Sequence, residues 1–520
     1  MSDQGLTRRG LGLTAGAAAM LAAGGVRAQA DGPMVQTLYG RLRLSREGQV
    51  WTGKGIPYGQ ADRFRRPVPP GPWTGRLEVE RYGPASPQRG NEPNQSEDCL
   101  RLNVWTPATG GAARPVIVYI HGGAYSTGSG SSPLTNGARL AARGDVAVVT
   151  VNHRLGPLGY ASLGRIAAGF EDSGNLGQLD LILALEWVRD NIAVFGGDPG
   201  CVTVVGQSGG GAKIATLMAM PAAAGLFHRA ATMSGQQVTA SGPLNATRRG
   251  EVWLEALGLT ADRAEEVRTM PVAGLLEAAG ATDPILGGSL YFGPVLDGRS
   301  LPRHPFWPDA PAQSAHVPMM IGNCREETLA FLGDDPANAG LTWETLPTKL
   351  TPVQMRIDIA PEAVVNWYRR AHPTLTPDEV LIRATTAARS WRAAVIEAEV
   401  RAAQGAPAFV YQLDFPSRRA NGRTGAYHTS DIPLMLDNVE AEGSGSAGPD
   451  GQAMADRMAD ALIAFARTGD PNHPGLPRWT PYSLERRETM VLDRTSRMED
   501  DPRGEERRFF GRIPYIQPGT

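Results

Sequence analysis

The sequence predicts an α/β protein: a mostly parallel central sheet with helices on both faces. Three observations carry this. Short apolar, β-rich runs recur at 116–120, 146–151, 202–205, 318–321 and 409–413, and runs without polar alternation are what strands buried on both faces require. Stretches of helical period lie between them, the alternation that builds parallel sheets. Hydrophobic residues make up 42% of 520 positions, enough for a large buried core.

The first 30 residues stand apart from this pattern. Thr7-Arg8-Arg9-Gly10 opens a weakly apolar, Gly/Ala-rich stretch that runs to Gly25, and Ala28-Gln29-Ala30 follows as an A-x-A cleavage pattern. The expectation is a twin-arginine-type signal peptide over 1–30, one domain over 31–520, and a periplasmic or secreted location. The stretch is too short and too glycine-rich to span a bilayer comfortably, which leaves a retained membrane anchor as the alternative reading; no other segment has the roughly 18 apolar residues of a membrane helix, so stable membrane insertion is not expected.

The composition of the whole chain excludes several classes. Lys+Arg is 51 against Asp+Glu 53, a net charge of −2, so there is no basic field to hold nucleic acid. Only Lys54, Lys213 and Lys349 are lysines. The three cysteines, Cys99, Cys201 and Cys324, form no CxxC and no metal-ligand spacing; they are expected to be buried small side chains, and neither a metal nor an organic cofactor is implied. The stretch 440–451, rich in Gly and Ser, reads as a mobile surface loop.

The elements then follow in order. The strand at 116–120 runs into His121-Gly122-Gly123-Ala124. Leu179, Leu183, Trp187, Val188 and Ile192 recur near a 3.6 period, predicting a helix over 179–194 that Gly196-Gly197-Asp198-Pro199 stops. The strand at 202–205 reaches Gly206-Gln207-Ser208-Gly209-Gly210, and a helix-compatible stretch continues to Pro221. This is G-x-S-x-G in a strand–turn–helix context, which holds a serine hydroxyl exposed at a helix N-terminus, with glycines where side chains would collide with the neighbouring strand and helix. Ser208 is therefore the candidate nucleophile.

A serine hydroxyl attacks a carbonyl poorly unless a base takes its proton and a carboxylate orients that base. In an elbow fold the order should be serine, acid, histidine. Of the downstream histidines, His372 and His473 precede prolines in loop-like surroundings, whereas His428 follows the strand ending at Leu413. The strand at 318–321 leads into Glu326 and Glu327, and the residues alone do not choose between them. Backbone N–H groups of Gly122, Gly123 and Gly209 are the candidate oxyanion donors, with His121 fixing the loop rather than acting as a base.

Together these segments resemble a family. From about residue 53 to 493 the chain is similar to the type-B carboxylesterases, the α/β-hydrolase family that includes the cholinesterases. The marks are Glu97-Asp-Cys-Leu-Arg-Leu-Asn-Val-Trp105, His121-Gly-Gly-Ala124, Asn152-His-Arg-Leu-Gly-Pro-Leu-Gly159, Asn191-Ile-Ala-Val-Phe-Gly-Gly-Asp-Pro199, the Ser208 elbow and Phe465-Ala-Arg-Thr-Gly-Asp-Pro-Asn472. The resemblance implies an α/β-hydrolase fold, Ser208 as nucleophile, His428 as base and, from Gly322-Asn-Cys-Arg-Glu-Glu-Thr328, Glu327 as the acid. It also suggests Ser234, in a Ser-Gly pair, as a hydrogen-bond partner near the base.

The departures carry information too. Gln207 stands where the family has Glu, which removes a negative charge beside the serine and weakens attraction to choline-like cations. Gly209 replaces Ala. Ser86 occupies the position of the cysteine that commonly bridges to the Glu-Asp-Cys-Leu motif, so Cys99 should remain a free thiol. The resulting expectation is a serine hydrolase that cleaves a small-molecule carboxylic ester through an acyl-enzyme. A specialised hydrolase of an aromatic, polyester or toxin ester, or an amidase, is the nearest alternative, and a non-catalytic binding protein on the same scaffold is the more distant one.

Overall fold

An eleven-stranded sheet organises the chain. In chain order its strands are β1 (Ser45–Glu47), β2 (Val50–Pro57), β3 (Arg101–Thr106), β4 (Arg114–Ile120), β5 (Ala147–Val151), β6 (Gly197–Gln207), β7 (Arg229–Met233), β8 (Met319–Cys324), β9 (Ala408–Leu413), β10 (Glu488–Leu492) and β11 (Arg497–Asp500). Their spatial order is β11-β10-β9-β8-β7-β6-β4-β5-β3-β2-β1. The computed structural model describes residues 32–111, 113–517 and 519; the expected export segment lies outside them. Among the described residues no helix is long and apolar enough to cross a membrane.

The seven strands β5-β4-β6-β7-β8-β9-β10, adjacent in that order, pair parallel, and the edges are antiparallel. All five apolar runs fall in this parallel centre, because strands covered on both faces have no polar side. Along β4, Val116, Val118 and Ile120 enter one core while Ile117 and Tyr119 enter the other, the two-residue alternation of a strand. Four helices bear on these cores: α1 (Ala138–Gly144), α2 (Leu176–Asn191), α3 (Gly209–Leu217) and α4 (Pro449–Thr468). Leu181 and Ile214 of α2 and α3 join the first core, and Leu140 and Leu462 of α1 and α4 join the second. A third cluster, including Leu329, Val364 and Tyr368, packs apart from both.

Several boundaries differ from the sequence expectation. The helix expected over 179–194 begins at Leu176 and ends at Asn191, followed by a 3-10 turn Ile192–Phe195 and by Gly196 at φ 78°. Strand β6 begins at Gly197 rather than at 202, because Gly197 pairs with Arg114 of β4 and the register then shifts before Val116; ladder pairing overrides the turn-like Gly-Asp-Pro-Gly composition. The segment 440–451 lies at the surface, with Glu440, Glu442, Gly443 and Ala447 exposed, but it is anchored there: Ser444 and Ser446 are buried, Ser446 Oγ lies 2.6 Å from Ser417 Oγ, and the chain is helical from Pro449. Cys99 and Cys324 are buried free thiols, whereas Cys201 is only partly buried and accepts from Arg229 Nη1 at 3.3 Å.

Candidate active site

The predicted site residues gather at the carboxyl ends of adjacent parallel strands, where ligands sit in open α/β sheets. Ser208 follows β6, His121 to Gly123 follow β4, Ser234 follows β7, Glu326 and Glu327 follow β8, and His428 lies on the connection that leaves β9. This rim holds a concentration of left-handed non-glycine backbone: Ala124 (φ 51°), Ser208 (φ 56°), Ser234 (φ 49°) and Thr429 (φ 80°). Such conformations each cost on the order of 1–3 kcal/mol and persist where packing over-determines them.

Ser208 sits at φ 56° and ψ −127°, the sharp turn between β6 and α3, and its N–H donates to the carbonyl of Met233 at 2.8 Å. The glycines around it are demanded by contact. A Cβ at Gly206 would lie 2.5 Å from the Gly210 carbonyl carbon, and one at Gly210 would lie 2.0 Å from the Ile120 oxygen. These are the helix and strand collisions that the G-x-S-x-G spacing avoids.

The two candidate acids separate. One Glu327 carboxylate oxygen lies 2.5 Å from His428 Nδ1. The other accepts from Ser234 Oγ at 2.6 Å, from the Cys324 N–H at 2.7 Å and from Asn323 Nδ2 at 3.2 Å. Glu327 is fully buried, and four partners satisfy it. Glu326 instead accepts from the Ala426 N–H at 3.1 Å, bracing the segment that leads to His428. The second oxygen of Glu327, crowded with donors, explains why Ser234 belongs to the site although it lies far from both residues in sequence.

The imidazole of His428 lies against the residue before the serine. Its ring nitrogens are 3.3 and 3.4 Å from Gln207 Nε2, and its ring is 5.1 Å from that of Phe331. Among the described residues no hydrogen bond joins the Ser208 hydroxyl to His428; such contacts are commonly long in the resting site and tighten once substrate is in place.

The glycine loop closes over the elbow. A Cβ at Gly122 would lie 3.2 Å from Ser208 Cβ, and one at Gly209 would lie 2.0 Å from the Ala124 oxygen. His121 faces away from this space: its Nδ1 is 2.9 Å from the Gly122 oxygen and its ring stacks on His153 at 4.6 Å. Burial, with Lys213 next, lowers its pKa to about 3, so it stays neutral.

Two groups escaped sequence reasoning. Lys213, on α3, is fully buried, donates from Nζ to the His121 carbonyl at 3.1 Å, and is pushed by burial down to about 7. It was identifiable as one of three lysines inside a helix that otherwise carries no charge. Asp431, three residues after His428, is fully buried with Oδ2 accepting from Tyr411 at 2.9 Å; burial and then Glu327 raise it to about 7. Nothing in its local sequence signals that environment. Among the described residues no group of acidic, histidine or cysteine side chains is placed to hold a metal ion.

A cleft of about 330 Å³ opens over Ser208 and Gly209. A second of about 340 Å³, more apolar, adjoins it through Ala124, Tyr125 and Tyr291.

Comparison with known proteins identifies the family of the chain. The chain matches the carboxylesterase family over residues 31–510. It is 35% identical to the para-nitrobenzyl esterase of Bacillus subtilis (strain 168), over 91% of this chain and 97% of that protein. It is 31% identical to the phenmedipham hydrolase of Pseudarthrobacter oxydans, over 88% and 95%. The crystal structure of a Geobacillus stearothermophilus carboxylesterase superposes with a TM-score of 0.82 at 36% identity, covering 92% of this chain and 99% of that one. With the α/β-hydrolase sheet and a serine elbow in place, the chain belongs to the carboxylesterase family and is a carboxylic-ester hydrolase.

Proposed function

We propose that Ser208, His428 and Glu327 are the catalytic triad. His428 takes the Ser208 proton on Nε2 as the hydroxyl oxygen bonds to the ester carbonyl carbon, and Glu327 holds Nδ1 protonated and stabilises the imidazolium. The carbonyl electron pair moves onto oxygen, where the N–H groups of Gly122, Gly123 and Gly209 receive it. The intermediate collapses by breaking the bond to the alcohol oxygen, which leaves with the proton from His428. Water then repeats the sequence on the acyl-enzyme and releases the acid.

The observation that carries this reading is the 2.5 Å contact between His428 Nδ1 and a buried Glu327 whose other oxygen is fixed by three donors. It sets both the tautomer and the orientation of the ring. Ser208→Ala is expected to lower ester turnover by about 10⁴-fold or more while circular dichroism stays native, and to abolish labelling by an organophosphonate. Full turnover in that variant would refute the assignment.

The apolar cleft beside Tyr125 and Tyr291, and the para-nitrobenzyl ester in the name of one relative, support an aromatic ester as substrate. The arginine pair Arg8-Arg9 and the Ala28-Gln29-Ala30 pattern support export by the twin-arginine route; replacing both arginines with lysine is expected to leave the protein in the cytoplasmic fraction.

A further inference from the structure

Two arginines converge on the cleft that holds Ser208, and neither has an anionic partner. Arg356 and Arg389 both line it. Among the described residues neither side chain makes an ion pair or a hydrogen bond; Arg389 has only the ring of Phe331, 5.7 Å away, and Arg356 Nε is buried without a partner. Withdrawing a guanidinium from water without an anion is costly; elsewhere in the chain Arg154 meets Asp180 at 2.7 Å and Arg249 meets Asp283 at 2.6 Å.

The backbone that delivers them is unusual at both places. Arg356 is itself left-handed, at φ 59°, closing the short helix Pro352–Met355. Arg389 is in the middle of a π-helical turn, Ala387–Trp391, between the helices Pro377–Thr386 and Arg392–Ala403. Wide turns of this kind interrupt helices at functional sites more often than elsewhere, and strained non-glycine residues do likewise. Burial lowers the pKa of each arginine, and in Arg389 the charge of Arg356 adds to it, which places the two cations within each other's field.

The nearby carboxylates do not offset them. Glu327 is committed to His428. Glu397, fully buried and accepting from the Gln237 N–H at 3.0 Å, is pushed well above the ordinary carboxylate range by burial, and among the described residues no acidic side chain lines the cleft. Position 207, beside the serine, carries a neutral amide. The cleft is therefore positive on the side where an ester bound at Ser208 must lie.

We infer that this cleft selects esters carrying a free carboxylate, which Arg356 and Arg389 bind while Ser208 faces the ester carbonyl. The inference rests on the esterase reading and adds a charge requirement to it. An arginine pair suits a carboxylate because each planar fork can donate two hydrogen bonds to it.

The test is a pair of matched comparisons with the full chain. In the first, p-nitrophenyl hydrogen glutarate is set against its neutral methyl ester, which puts the charge on the acid portion. In the second, 4-acetoxybenzoate is set against methyl 4-acetoxybenzoate, which puts it on the alcohol portion. We expect kcat/KM to favour the anionic ester by about tenfold or more in at least one pair, the preference shrinking as salt is raised. Arg356→Gln and Arg389→Gln should each reduce the anionic-to-neutral ratio, and the lysine variants should keep part of it. Native enzyme that turns over both neutral esters as fast as the anionic ones, or a preference untouched by both glutamine variants, would overturn the inference while leaving the esterase reading intact. Failure to hydrolyse any of the four would count against that reading instead.

Discussion

Gly209 packs its Cα against the carbonyl oxygen of Ala124 so closely that a methyl group there would lie 2.0 Å from that oxygen. The family's usual alanine at this position is thereby excluded unless the glycine loop moves. Gly209→Ala is expected to displace the Ala124 segment, lowering kcat by about 10²-fold through the proposed oxyanion donors and stability by about 1–3 kcal/mol. Steady-state kinetics and urea unfolding check both effects.

Glu326 and Glu327 are neighbours in sequence but not in role. Glu327→Gln should lower kcat by about 10⁴-fold, because an amide at the 2.5 Å contact favours the wrong imidazole tautomer. Glu326→Gln weakens one hydrogen bond to the Ala426 N–H, a loss of about 1 kcal/mol in stability, with less than about a tenfold change in rate. The reverse ranking in kcat would move the acid to residue 326.

Asp431 makes stability depend on pH. Its carboxyl is raised from 3.8 to about 7 by burial and then by Glu327, so between these values the unfolded chain has released a proton that the folded chain still holds. More protons are bound folded than unfolded, and this group's contribution to stability therefore falls as pH rises through that window, by up to about 1.4 kcal/mol per unit. Asp431→Asn retains an acceptor for Tyr411 but cannot ionise. Urea unfolding at pH 5 and pH 8 should show a smaller loss in the variant than in the native chain.

The neutral amide of Gln207, 3.3 Å from His428, leaves no carboxylate beside the serine to attract a quaternary ammonium group. Acetylcholine should be hydrolysed with a lower kcat/KM than its uncharged isostere, 3,3-dimethylbutyl acetate, and Gln207→Glu should narrow the gap. A native preference for the choline ester would contradict this electrostatic account.

Local pattern determined a large part of the molecule. The five apolar runs became central parallel strands because a strand with no polar face has nowhere else to go, and the Ser208 elbow was legible because its glycines answer to contacts within a few residues and one neighbouring strand. Boundaries were less legible: β6 starts at Gly197 because β4 supplies hydrogen bonds there, and the surface segment around Ser446 is anchored because Ser446 itself is buried against Ser417. The residues by themselves left Glu326 and Glu327 open and the family motif pointed to Glu327; tertiary structure puts Glu327 against His428, since the two differ only in the direction their side chains leave one turn. It alone placed Lys213 under the glycine loop, Asp431 in a dry site, and Arg356 and Arg389 on one cleft. Charge burial and charge pairing are properties of distances between remote segments, and sequence order does not encode those distances locally.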